Sequence, residues 1–142
     1  MPIANDAELA ALLTSVNTVA MVGASDNPAR ASHGVMQFLQ RQGYRVIPVN
    51  PALAGQTLLG ETVKASLGDI AEPIDLVDIF RNSEAAGAVV DDAIAAGAGA
   101  VWMQLGVINT EAAARAEAAG MHVVMDRCPK IEIARLGLAS RA

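Results

Sequence analysis

The residues best suited to do chemistry stand together behind the first apolar run: Gly23, Ala24, Ser25, Arg30 and Ser32, within VAMVGASDNPARASHGV. A glycine that permits a tight turn, followed by small residues whose amides a phosphate oxygen can approach, is how a strand-to-helix loop binds an anion. The helix behind such a loop adds its positive end, Arg30 a bidentate guanidinium contact, and Ser25 or Ser32 a hydroxyl. Gly34, in the first helical turn, is expected to let the helix approach a strand or a ligand closely. The glycine spacing departs from the dinucleotide fingerprint, since Ser25 and Pro28 occupy its third and sixth places. No Gly-Lys-Ser/Thr follows, which excludes a P-loop. The plain alternative is a structural turn with Ser32 as helix cap.

A second set closes the next apolar run, where PVNP supplies Val49, Asn50 and Pro51. Folds that bind NAD often place an acid there for the ribose diol. An asparagine and a rigid proline instead suit a ribose that carries a phosphate, which favours NADP or coenzyme A. Elsewhere the chemistry is thin. Cys128 lies where a helix start could lower a thiol's pKa, against the plainer reading of a partly buried cysteine. His33 and His122, the only histidines, belong to no Ser-His-Asp set and no metal-ligand pair. Asp75 and Asp78 form no catalytic carboxylate pair, and Asp78 is expected to meet loop amides. Asp126 and Arg127 read as a local ion pair, and Trp102 as core. With no catalytic constellation, the expectation is a binding protein, not an enzyme, without a metal.

These residues need elements to place them. NDAELAALLTSV reads as a leading helix over 1–16, capped by Asn5 or Asp6 and covering one edge of a sheet. TVAMVG, YRVIPVN, IDLVDIF, AVWMQLG and HVVMD read as five strands. Between and after them lie helices at 32–42, at SEAAGAVVDDAIAAG with Ser83 as cap, at NTEAAARAEAAG with Asn109 or Thr110 as cap, and at CPKIEIARLGL. SLGDIAEP reads as a short helix before Pro73, and Pro51 to Gly60 as a long loop, either a ligand-facing segment or an ordinary surface excursion. Regular alternation of this kind means an open parallel α/β sheet with helices on both faces, whose ligands sit at the strand carboxyl ends.

The chain's 142 residues fit one domain, and 53% hydrophobic with 3% aromatic content means a core of aliphatic side chains and methionine. A net charge of −5 argues against nucleic acid or an anionic membrane as partner. The uncharged stretch from Ala93 to Thr110 is broken by Gly97, Gly99 and Gly106, and the N-terminus carries Asp6 and Glu8 in place of a basic leader. One cysteine allows no internal disulfide and fits the cytoplasm.

Five stretches in order, VGASDNPARAS, GYRVIPVNP, DLVDIFR, VWMQLGVIN and VVMDRCPKIE, resemble the small stand-alone CoA-binding proteins, whose domain is similar to the N-terminal CoA-binding domain of the succinyl-CoA synthetase alpha subunit. The resemblance runs from Val19 to Leu136 and implies a single Rossmann-like domain over 1–142 that binds coenzyme A or an acyl-CoA. Carried over, Gly23, Ala24 and Ser25 surround the pyrophosphate with Arg30 and Ser32 nearby. Val49, Asn50 and Pro51 line the adenosine side, Phe80 and Arg81 stand at the third strand end, and Met103 and Gln104 lie along the pantetheine. The synthetase's second domain, with its phosphorylated histidine, has no counterpart here, so ligase activity is not expected. NPALAG is also neutral where the synthetase carries basic residues. Alternatives are a CoA-presenting subunit of a separately encoded synthetase or transferase, and an NADP-binding redox protein. An Ala-rich helix face suits a homodimer.

Overall fold

Short runs of Val, Ile, Met and Ala, bounded by Gly, Pro or Asn, become the strands of one sheet in the computed structural model, which describes residues 1–141. In chain order the elements are α1 (Asp6–Ser15), β1 (Thr18–Val22), α2 (Ala31–Gln42), β2 (Arg45–Val49), β3 (Thr57–Leu58), β4 (Glu61–Thr62) and β5 (Leu76–Ile79). Then follow α3 (Ser83–Ala95), β6 (Ala100–Met103), α4 (Thr110–Ala118), β7 (His122–Val124) and α5 (Pro129–Leu136). The main sheet has the order β2-β1-β5-β6-β7 with every pairing parallel. This is the expected five-stranded Rossmann-like α/β domain.

Alternation along each strand divides the core into two layers. Val19, Met21, Leu76, Trp102 and Val124 face α1, α2 and α5, while Ala20, Val77, Val101, Met103 and Val123 face α3 and α4. The leading helix therefore lies on a face of the sheet, not over an edge, with Leu9, Leu12 and Leu13 buried. Arg135 pairs with Asp6, and the buried Glu132 with both Arg127 and Arg135, which fastens α1 to α5. Arg127 is thus held by Glu132, and Asp126 accepts from the Gly106 amide at 2.7 Å instead of pairing with its neighbour.

Asparagine caps α1, α3 and α4: Asn5, Asn82 and Asn109 accept from the amides of Glu8, Ala85 and Ala112. Ser83 is accordingly the first helical residue, and its hydroxyl serves the loop after β6, accepting from Ile108 and donating to the Gly106 carbonyl. The segment from Pro51 to Gly60 is more than a loop: a 3-10 turn at Pro51–Leu53 leads into the β3–β4 hairpin. SLGDIAEP holds only a 3-10 turn at Leu67–Asp69, too short for the expected helix.

Two residues depart from their sequence readings in ways that matter for stability. Asp78 meets no loop amide. It sits within β5, in register with Met21 and Trp102, fully buried, and neither carboxyl oxygen has a hydrogen-bond partner. Burial pushes its pKa well above the ordinary carboxylate range. Trp102 gives its indole N–H to the Arg127 carbonyl at 2.7 Å, so it cannot serve Asp78. Gly34 does not mediate a close approach to a strand, because a Cβ there would meet no heavy atom within 4 Å. Gly34→Ala is therefore expected to raise stability by about 0.5–1 kcal/mol through helix propensity, read as a higher urea midpoint at unchanged m-value.

Candidate functional site

The sheet order makes β1 the switch strand: the chain leaves it through α2 for β2 on one side, then returns across to β5 on the other. Connections that diverge in this way open a crevice at the strand carboxyl ends. Gly23, with φ of +91°, turns the chain there, and a Cβ on it would lie 2.2 Å from the Phe80 carbonyl oxygen. Its glycine is thus required by the close approach of two strand ends.

Hydrogen bonds lock the ends of β1 and β2 together. The amides of Gly23 and Ala24 point to the Val49 carbonyl at 3.0 and 3.4 Å, and the Asn50 side-chain amide donates to the Ala24 carbonyl at 2.8 Å. Ala24 therefore does not offer its N–H to a ligand as the sequence reading supposed. The amides left free in this loop are those of Ser25 and Asp26 and of Ala31 and Ser32, the first two residues of α2. Ser25 Oγ accepts from Asn27 and Asn27 Oδ1 from Ala29, which shapes the intervening loop, and the cap position of α2, Arg30, contributes no side-chain bond.

A cavity of about 460 Å³ opens over these amides. Gly23, Ala24, Ser25, Arg30, Ser32, Val49, Asn50, Pro51, Phe80 and Arg81 all line it, with Val22 and Ala31. No carboxylate lines it. Arg30 and Arg81 are exposed and, among the described residues, neither side chain has an ion pair or hydrogen bond. By contrast Arg45, Arg115, Arg127 and Arg135 are each held by an acid. Two unpaired guanidinium groups on one cavity give an acidic protein a locally positive patch.

Two expected residues lie outside it. Met103 is fully buried in the layer under α3 and α4. Gln104 is 7% exposed at the end of β6, on the opposite parity, with its side-chain carbonyl buried and unpartnered. Cys128 is buried at the cap position of α5 and lines neither this cavity nor the next. A second cavity of about 240 Å³, which sequence reasoning missed, continues on the other face of the sheet. It shares Val22, Val49, Pro51 and Arg81 with the first and adds Ser66, Leu67, Ala85, Val89 and Asp92. The spacing of Ala85, Val89 and Asp92 along one face of α3 was the available signal.

Among the described residues no group of three or more His, Cys, Asp or Glu is arranged to hold a metal ion, and no helix is long and apolar enough to cross a membrane. Comparison with known proteins identifies the family. The uncharacterized Bacillus subtilis protein YneT is 38% identical over 125 residues, covering 88% of this chain and 91% of its own. The solved structure of cell-free ID.343 from Thermus thermophilus superposes with a TM-score of 0.89 at 42% identity, over 94% of this chain and 99% of that one. Acetyl-coenzyme A synthetase 1 of Ca. Korarchaeum cryptofilum shares the fold at TM-score 0.67 and 23% identity, over 78% of this chain and 26% of the synthetase. Residues 17–134 match the family described as CoA binding domain. The chain belongs to that CoA-binding domain family.

Proposed function

We propose that the protein binds coenzyme A or an acyl-CoA without transforming it, holding the pyrophosphate at the start of α2. The observation that carries this reading is the convergence of Arg30, Arg81 and the free amides of Ser25, Ala31 and Ser32 on one cavity without a carboxylate. Both arginines reach the diphosphate, and the helix end adds its partial positive charge. The adenosine passes Val49, Asn50 and Pro51, and its base enters the second cavity, whose walls are largely aliphatic. The pantetheine arm runs along the rim toward Gln104 at the end of β6.

Calorimetric titration with CoA, acetyl-CoA, NADP and NAD tests the assignment. Saturable heat from CoA or acetyl-CoA supports it, whereas silence of both, or binding of NAD or NADP in their place, removes it. Arg30→Ala and Arg81→Ala are each expected to weaken CoA binding roughly ten- to a hundredfold, the loss of a charge-assisted contact. Their melting temperatures should stay close to the parent's, because neither side chain supports the fold.

A further inference from the structure

In a crevice of this kind the ribose hydroxyls lie at the end of the second strand, here Asn50, Pro51 and Ala52. Every backbone N–H from Asn50 to Leu53 is already engaged or absent. The Asn50 amide donates to the Lys64 carbonyl at 2.9 Å, Pro51 has no N–H, and the Leu53 amide returns to the Asn50 carbonyl at 3.1 Å. The Asn50 side chain is clamped at both ends, giving its Nδ2 to the Ala24 carbonyl and accepting the Ala52 amide on Oδ1. Asn50 ties two loops together, which corrects its reading as a group suited to a phosphorylated ribose.

The one cation that lines both cavities, Arg81, is the one assigned with Arg30 to the diphosphate. Arg30 and Arg81 flank the diphosphate position, and Ala52 is exposed and neutral. Lys64, bridged to Val49 across the edge of β2, lines a separate cavity with Glu61, Asp69 and Glu72. The second cavity carries Asp92 on its wall. A dianionic phosphate on the ribose would need a cation or a free N–H to replace its lost water.

Resting on the CoA reading above, we propose that this site recognises the diphosphate and the base but not the 3′-phosphate, so that 3′-dephospho-CoA is a ligand equivalent to CoA. The test is titration of the full chain with both compounds under identical salt. Dissociation constants within about threefold are expected, since no charge-assisted contact distinguishes the ligands. A preference for CoA of about tenfold or more, the size of one such contact, would overturn the inference while leaving the CoA reading standing. Silence of both compounds would overturn that reading, and this inference with it. Ala52→Lys supplies the missing cation at an exposed position and is expected to strengthen CoA binding about tenfold while leaving 3′-dephospho-CoA unchanged. Equal effects on both ligands would place the 3′-position elsewhere and overturn the assignment.

Discussion

Gly23→Ala is expected to cost about 2–5 kcal/mol of folding stability, combining roughly 1–2 kcal/mol for a side chain in the left-handed region with about 1–3 kcal/mol for overpacking. The new Cβ would lie 2.2 Å from a backbone oxygen, that of Phe80, so no side-chain rotation relieves it. The ends of β1 and β5 would have to separate, and the Gly23 and Ala24 bonds to Val49 would go with them. CoA binding should be lost even under conditions where the variant remains folded. Urea unfolding alongside Gly34→Ala gives an internal contrast, since the two alanines should shift the midpoint in opposite directions. A Gly23→Ala midpoint within about 1 kcal/mol of the parent, well below the strain just described, would contradict this account of the strand ends.

Asp78→Asn should change how stability depends on pH. The unfolded carboxyl ionises near pH 4, whereas burial holds the folded one protonated to a higher pH. Within that window the folded chain binds the extra proton, so stability is full below the unfolded pKa and falls as pH rises through the folded one. The slope reaches about 1.4 kcal/mol per pH unit. Asparagine has the same shape and cannot ionise, so the variant should show a flatter profile and gain stability relative to the parent as pH rises. Asp6 acts with the opposite sign, its carboxyl held low by the hydrogen bond from Arg135, but it is common to both proteins and cancels in the difference. Chemical denaturation from pH 5 to 9 reads the effect, and parallel profiles would count against a buried, unpaired carboxyl.

The strands were legible because each is a short apolar run closed by a turn residue, and the site because its residues sit at strand ends. What escaped was decided by tertiary partners. Ser83 and Asn82 are both good caps, and Ser83 lost that role because the loop after β6 needs its hydroxyl. The β3–β4 hairpin turns through Leu59 and Gly60, both with positive φ, and leucine in the first place hid a turn that Asn-Gly would have announced. Strand parity could have separated Met103 from Gln104, since only alternate residues share a face. Nothing in the order of residues shows that Asn50 is used up between two loops, or that Asp78 finds no donor. Both depend on which segments meet.

Pro48 has a consequence for how this protein meets other copies of itself. Its carbonyl accepts from Lys64, so Pro48 faces the outer side of β2, the side where a residue other than proline would present an N–H to solvent. Nearby, Arg45 is held by Glu61 and Glu72. At the other margin β7 has only three residues, and Ile3 donates to the Val123 carbonyl at 2.7 Å. Both margins are therefore poor templates for an incoming strand. Assembly through sheet extension is disfavoured, and self-association in the folded state is left to the helical faces and the strand-end rim.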